Sequence, residues 1–411
     1  MKVLWVCTSP VGPMARALGI DYQGSSGGWI GAEYDKLTHS THELVFLTMI
    51  GSVDHGTVLR KEYENASMYY IGRPKVTFGI EPPEWMHRSV RQVIGEVCPD
   101  IIQIWGTESV LSVAAAACDT GAQKLLFLQG IIGLYVRYKR FALSGEEKLS
   151  LRYKLADTVK SRMYHKQASL EEQILKQVSG VILDNDFSEG YCTRVNPTLH
   201  TIRYPLLPQQ VYFRNRWADD MCEPHSIFTI AGSSPMKGLH LLLSIVSRLT
   251  ERYPDIRLYV PGTFSRSLRE KSGNPSNEYE KLLYRIISEK HLEDTVVFTG
   301  KLDAQQMAAY MCRCALFVNP SCTEVHALSL REAMAVGMPC ISSVCGSVSE
   351  FVFHADNGLL YRYTEPEICE SYIIRLFENR EERCRLSERA HNTWAAVEGH
   401  DLSAVYDAIE R

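Results

Sequence analysis

No apolar run in this 411-residue chain reaches the roughly 18 residues that a membrane-spanning helix needs. The opening stretch, MKVLWVCTSP, has an apolar run of about five residues. That is short of the roughly 7–15 of a secretory signal core, no small-residue cleavage site follows, and the stretch reads as a first buried strand. The 12 cysteines include no Cys-x-x-Cys pair, and Cys312 and Cys314 stand too close for ordinary zinc ligands. Reduced core thiols and no structural metal are expected. After the first strand comes Thr8-Ser9-Pro10-Val11-Gly12, without the Gly-x-Gly-x-x-Gly turn of a Rossmann dehydrogenase. A Gly-x4-Gly-Lys-Ser/Thr phosphate loop is missing as well. Excess positive charge is also lacking: the net charge is -4, so the chain as a whole is no polyanion binder, and no nucleic-acid motif is present.

What is there is an ordinary globular composition, 45% hydrophobic and 22% charged. The length exceeds the roughly 250–300 residues at which one core stops growing, so two domains are expected. Short β-type runs alternate with longer helical patterns, the mark of βαβ units and parallel sheets. The first half predicts strands at Val3–Cys7, Glu43–Thr48, Met68–Ile71, Ile101–Trp105, Lys124–Gln129 and Val181–Asp184. The second predicts Ser226–Ala231, Arg257–Val260, Val296–Thr299, Leu316–Val318 and Cys340–Ser342. Pro205, Pro208 and Pro224 punctuate the join, which gives domains 1–210 and 211–386 and a last helix over 387–411. The expected fold class is α/β, with two Rossmann-like, doubly wound domains.

The chemistry concentrates in NPSCTEVHALSLREAMAVGMPCISS, Asn319 to Ser343. A strand ends, a loop carries Glu324, and a helix runs from about Leu328 to Val336 before Gly337 stops it. In an open α/β sheet such a helix start faces the ligand crevice, and amides near Ala327, Leu328 and Ser329 suit a diphosphate. Glu324 and Glu332 can reach different hydroxyls of one elongated ligand. Ser329-x-x-Glu332 also spells a capping box, a purely structural reading of Glu332. Upstream, the strand SIFTIAG leads into Ser233-Ser234-Pro235-Met236-Lys237-Gly238. A lysine on that turn can neutralise a leaving diphosphate. Asp184-Asn185-Asp186 spells the Asp-x-Asp of metal-dependent transferases, but Asp and Asn after a strand are ordinary turn residues, and it is read so.

The Glu-x7-Glu spacing of Glu324 and Glu332, continued as Glu-Ala-Met-Ala-x-Gly-x-Pro, resembles family 4 of the retaining glycosyltransferases. The resemblance implies a GT-B fold, two Rossmann-like domains facing across a cleft, 1–210 on the acceptor side and 211–386 binding the nucleotide-sugar, with the last helix packing back on the first. It implies Glu324 beside the transferred sugar, Glu332 on the ribose, and the segment Val325–Ser329, with His326, on phosphates and sugar hydroxyls. Lys237 falls where the family has a phosphate-binding lysine, and Ser233 where it has an arginine. Gly27 and Gly28 fall where a glycine pair lies against the donor phosphate. Where the family reads Gly-Phe-Gly after the first glutamate, this chain has Val325-His326-Ala327. Gln129-Gly130 replaces a histidine that contacts the donor sugar, so no general base is named. The implied reaction is transfer of a hexose-type group from a UDP- or GDP-sugar, with retention, to a saccharide or lipid-linked acceptor in surface polysaccharide synthesis. No cofactor and no metal are expected. A nucleotide-sugar epimerase of the same shape and a non-catalytic sugar-binding protein are the alternatives.

One segment stands apart. Residues 137–166 hold nine cations against three acids, a net +6, interleaved with Phe141, Leu143, Leu149, Leu151, Tyr153 and Leu155. Two readings stay open: a solvated helix pair over the first domain, or contact with an anionic membrane surface. The expected location is cytoplasmic, peripheral on the inner face of the cell membrane if the second reading holds.

Overall fold

The computed structural model describes residues 1–19, 28–38, 40–63, 66–143, 151–232, 234–262, 264, 278–397 and 401–410. The chain forms two compact units. Unit 1 comprises Met1–Val136, Thr158–Pro205 and Gly399–Arg411, and unit 2 comprises Arg137–Asp157 and Leu206–Glu398.

Unit 1 is built on eight strands: β1 Lys2–Val6, β2 Glu43–Ile50, β3 Val58–Tyr63, β4 Ala66–Gly72, β5 Ile101–Trp105, β6 Gln123–Phe127, β7 Gly180–Leu183 and β8 His200–Arg203. Their order is β3-β4-β2-β1-β5-β6-β7-β8. All neighbours are parallel except β3 and β4. Strand order reverses at β1, which pairs with β2 on one side and β5 on the other. A parallel sheet covered on both faces demands continuous apolar strands, and β5 is buried at every residue. Trp5, Trp105 and Phe127 pack in a row across three adjacent strands, with ring centroids 4.8 Å apart at each step.

Unit 2 is built on β9 Glu223–Phe228, β10 Arg257–Pro261, β11 Val296–Gly300, β12 Cys314–Asn319, β13 Cys340–Ser343 and β14 Leu359–Tyr361. The order is β11-β10-β9-β12-β13-β14, parallel throughout. Counted from β9 this is 3-2-1-4-5-6, the doubly wound dinucleotide-binding order. Successive residues serve opposite faces: Ile227 and Leu316 join one core, Phe228 and Phe317 the other.

All eleven expected strands are present, and three more escaped the sequence reading. β3 (VLRKEY) and β8 (HTIR) are edge strands without a buried face, and β14 (LLY) has three residues. Such strands carry too little apolar pattern to register. The single helix expected over 387–411 is two helices, Arg380–Ala395 and Leu402–Glu410. The first sits in unit 2, where Ala390 and Trp394 join the core. The second closes on β1, where the Trp5 indole N–H donates to the Tyr406 hydroxyl at 3.0 Å.

The first turns of the basic segment also have a fixed place. Leu143 is buried in the unit 2 core. The Ala142 carbonyl accepts hydrogen bonds from His240 Nε2 at 2.9 Å and from the Tyr363 hydroxyl at 2.8 Å. Burial pushes the His240 pKa down to about 4, so the ring is neutral, donating to Ala142 and accepting from the Tyr279 hydroxyl at Nδ1.

Tyr406→Phe leaves the buried Trp5 N–H without its acceptor. The expected loss is about 1–3 kcal/mol of stability, read as an earlier urea midpoint with an unchanged slope.

Candidate active site

In unit 2 the strand order reverses between β9 and β12, where an open parallel sheet leaves a crevice at its carboxyl edge. Two loops meet there. The loop after β9 turns through Pro235–Lys237 into Gly238, which has φ 73 and begins the helix Leu239–Leu249. A Cβ on Gly238 would stand 2.0 Å from the Pro320 carbonyl oxygen, so only glycine lets this loop lie against the end of β12. Cys322 N–H donates to the Met236 carbonyl at 2.8 Å and stitches the two loops together.

This contact brings Lys237 to Glu324, with Nζ 2.6 Å from Oε1. The same carboxylate oxygen accepts from the Ser321 hydroxyl at 2.6 Å. Glu324 is buried, while the Lys237 side chain stays 39% exposed. The pair therefore presents one cation to solvent on a fixed base and adds little to stability. A third loop supports it from behind: Gly346, with φ 51, would bring a Cβ to 1.7 Å from the Glu324 carbonyl oxygen. Cys322 beside the pair is inert, its thiol pushed up to about 12 chiefly by burial.

The helix Leu328–Val336 begins directly after Ala327, which adopts the left-handed conformation at φ 49, ψ 41. The amides of Leu328 and Ser329 are the first of that helix, where no intrahelical acceptor exists. Val325 and His326, between Glu324 and Ala327, are buried. Ser329 lies inside the helix and Ala327 is its cap residue, without a side-chain cap bond. No Ser329–Glu332 capping box forms. Glu332 instead accepts a hydrogen bond from the hydroxyl of Tyr212, and burial pushes its carboxyl up to about 8 against that bond.

Of the other expected residues, Ser233 and Gly27 lie outside the described residues, and Gly28 opens the helix Gly28–Leu37 in unit 1. Asp184-Asn185-Asp186 is occupied structurally. The Asn185 side chain caps the helix Asp186–Val195 by accepting from Ser188 N–H at 2.8 Å, and Asp186 pairs with Arg203. Among the described residues no group of His, Cys, Asp or Glu is arranged to hold a metal ion. Sequence reasoning missed Ser321 and Tyr212, the direct partners of the two glutamates. Tyr212 lies far upstream in the short helix Gln210–Arg214, and no local pattern links it to Glu332.

Two outcomes follow from this geometry. Ala327→Gly relieves a left-handed non-glycine residue, and about 0.5–1 kcal/mol of added stability is expected by chemical denaturation. Glu332 has a folded-state pKa above its ordinary value of 4.5. Its contribution is full below that value and is lost as pH rises through about 8. Melting curves of Glu332→Gln against wild type from pH 5 to pH 9 should show the variant gaining on the wild type as pH rises. A constant difference would place the Glu332 carboxyl in ordinary solvent.

Residues 223–393, which hold this site, match the family described as Glycosyl transferases group 1. The D-inositol 3-phosphate glycosyltransferase of Pseudarthrobacter chlorophenolicus is 26% identical over 181 residues, 43% of this chain and 41% of that protein. The chain spans less than half the length of the first curated relatives it matches. Among solved structures, sucrose-phosphate synthase from Thermosynechococcus elongatus superposes with a TM-score of 0.74 at 14% identity, covering 100% of this chain and 97% of that one. HepE of Anabaena, solved with UDP and glucose, gives 0.65 at 14% identity over 100% and 98%. The chain has the GT-B fold, and within it residues 223–393 match the model of the glycosyl transferases group 1 family.

Proposed function

We propose that this protein is a retaining glycosyltransferase that moves a sugar from a UDP- or GDP-sugar to a saccharide or lipid-linked acceptor. The observation that carries the reading is the Lys237–Glu324 pair at the point where strand order reverses, beside a helix start. Departure of a nucleoside diphosphate develops negative charge on the phosphate oxygens. Lys237 and the amides of Leu328 and Ser329 are a cation and dipole ends placed before the reaction starts, so they need little reorganisation as that charge grows. Glu324 holds the lysine in place and offers its remaining acceptor capacity to sugar hydroxyls. Glu332 accepts from the ribose. No protein base is assigned, and the departing phosphate takes the acceptor proton as the new glycosidic bond forms on the face it leaves. With a lysine and helix amides at the diphosphate, the reaction needs no divalent ion. The UDP seen with HepE supports a uridine donor.

Lys237→Ala should lower turnover by about 10²-fold or more with the melting temperature retained. UDP or GDP at a hundred times its dissociation constant should stabilise the wild type by about 2.7 kcal/mol in thermal shift. Activity should persist in excess EDTA; its loss with recovery in manganese would overturn the metal-independent mechanism. A folded Lys237→Ala protein with wild-type kinetics would remove the lysine from the reaction.

The basic stretch favours a lipid-linked acceptor at an anionic bilayer. No helix among the described residues is long and apolar enough to cross a membrane. Arg137, Lys160 and Arg162 are exposed, as is Val159 at 61%. Phe141 is 37% exposed beside Tyr363, whereas Leu143 is buried in the unit 2 core. Lys148 lies outside the described residues. Co-sedimentation with phosphatidylserine vesicles should exceed that with phosphatidylcholine, fall with salt, and weaken when Arg137, Lys160 and Arg162 become Ser. Equal partitioning to both, or none, leaves a soluble acceptor.

A further inference from the structure

The helix Leu328–Val336 keeps three partly exposed residues, Leu328, Ser329 and Glu332, and the rest of it is buried. Glu332 therefore has a part open to solvent and a part turned to the core. From the core it is met by Tyr212, 3% exposed, whose hydroxyl donates to the carboxyl. The Tyr212 ring lies in the same core as Ala327, Leu330 and Ala333 of the helix start.

The position of Tyr212 is set by a longer stretch of chain, 206–217, which is laid along this helix. At one end Arg331 Nη1 donates to the Leu206 carbonyl at 2.9 Å. The Arg331 guanidinium itself rests against the rings of Phe351 and Trp394, 4.9 Å and 5.1 Å from their centroids. At the other end Trp217 N–H donates to the Val336 carbonyl at 3.0 Å, and its indole N–H donates to the Cys314 carbonyl at 2.9 Å. Arg216 also donates to the Val336 carbonyl, at 3.3 Å. Tyr212 stands between these ties, so its hydroxyl has little freedom to leave Glu332.

The partner that meets Glu332 can only donate. Burial, and then the facing carboxylate, hold the Tyr212 phenol well above its ordinary range, so it keeps its proton. An ionised carboxyl accepts at both oxygens, whereas a protonated one spends an oxygen as a donor. Burial raises the Glu332 carboxyl and the bond from Tyr212 opposes that rise, which favours the form that accepts only. A ribose presents its 2′- and 3′-hydroxyls side by side as a pair of donors, and a deoxyribose has lost one of them.

We propose that Tyr212 is a positioning residue that makes the site selective for ribonucleotides over deoxyribonucleotides, by holding the Glu332 carboxyl as an acceptor toward a vicinal diol. The proposal rests on the glycosyl-transfer reading, in which the nucleotide ribose lies at Glu332. A site built to accept from a hydroxyl discriminates against the analogue that lacks it, because a buried acceptor is then left unpaired.

The test titrates the full chain with UDP, 2′-deoxy-UDP and 3′-deoxy-UDP, and with the guanosine counterparts, by isothermal calorimetry. The wild type should bind one ribonucleotide about tenfold or more tighter than at least one of its deoxy forms. Tyr212→Phe keeps the ring and removes the hydroxyl; it should lower that ratio about threefold or more with the urea midpoint showing a folded protein. Glu332→Gln should lower the ratio as well, and Tyr212→Phe should change it no further in that background, since the tyrosine acts through the carboxyl. A full ratio in folded Tyr212→Phe makes Tyr212 a packing residue and overturns the proposal. Should the Phe variant not fold, a full ratio in Glu332→Gln overturns it equally. A wild type that binds ribo and deoxy forms alike overturns the selectivity and leaves the donor reading standing. A wild type that binds no nucleotide removes the donor reading and the proposal with it.

Discussion

The close approach of Gly238 to the Pro320 carbonyl is the contact on which the candidate donor site depends. No side chain other than hydrogen fits there, and the positive φ at Gly238 sets the direction in which the helix Leu239–Leu249 departs. With the two loops joined, Lys237 meets Glu324 without a long lever arm, and the Ser321 hydroxyl donates to the same carboxylate oxygen. Gly346 repeats the device against the Glu324 carbonyl. Three loops at the carboxyl edge therefore interlock through backbone contacts, and the charged pair inherits its geometry from them. The half-exposed lysine makes this an arrangement for meeting an anion, with little consequence for folding energy.

Unit 1 uses the same logic with different parts. Gly106 and Gly130 clear room for a carboxyl in place of side chains, and one helix supplies the restraint through Gln167 and Glu171. The amides at the start of the helix Ile132–Phe141 are bound to Glu171, so that helix start is a structural joint. The start of the helix Leu328–Val336 differs, because its cap residue is Ala327, whose side chain offers no hydrogen-bond acceptor. The difference between an anchored and an available helix end is set by a carboxylate in one unit and its lack at the cap in the other.

Two motifs show how a local pattern misleads. Asp184-Asn185-Asp186 has the spelling of a metal ligand set, yet Asn185 caps a helix and Asp186 meets Arg203. Ser329-x-x-Glu332 has the spelling of a capping box, yet the helix begins two residues too early for it, at Leu328, with Ala327 as its cap. In both cases three or four residues are too few to specify where an element starts. Ser233 and Val325-His326-Ala327 depart from the arginine and glycine pair that the sequence resemblance implies. Ala327 keeps the left-handed backbone that a glycine would adopt freely, so the chain conformation survives the substitution at a cost.

Sequence alone determined the α/β class, eleven of the strands and the helix after Glu324, and it singled out Lys237 and Glu324, which the structure pairs. These follow from apolar periodicity, turn residues and short spacings, all of which are local. The edge strands β3, β8 and β14 were illegible because strands that are exposed, or as short as three residues, carry little apolar pattern. The break within 387–411 has a local mark that the sequence reading passed over: Asp401 accepts from the Ser403 N–H at the start of the second helix. Tertiary structure alone decided that Tyr212 meets Glu332, that Ser321 braces Glu324, and that Gly106 and Gly130 leave room for the Glu108 carboxyl. Those contacts join residues far apart in the chain, and they exist because parallel strands bring the loops at their carboxyl ends to one edge of a sheet.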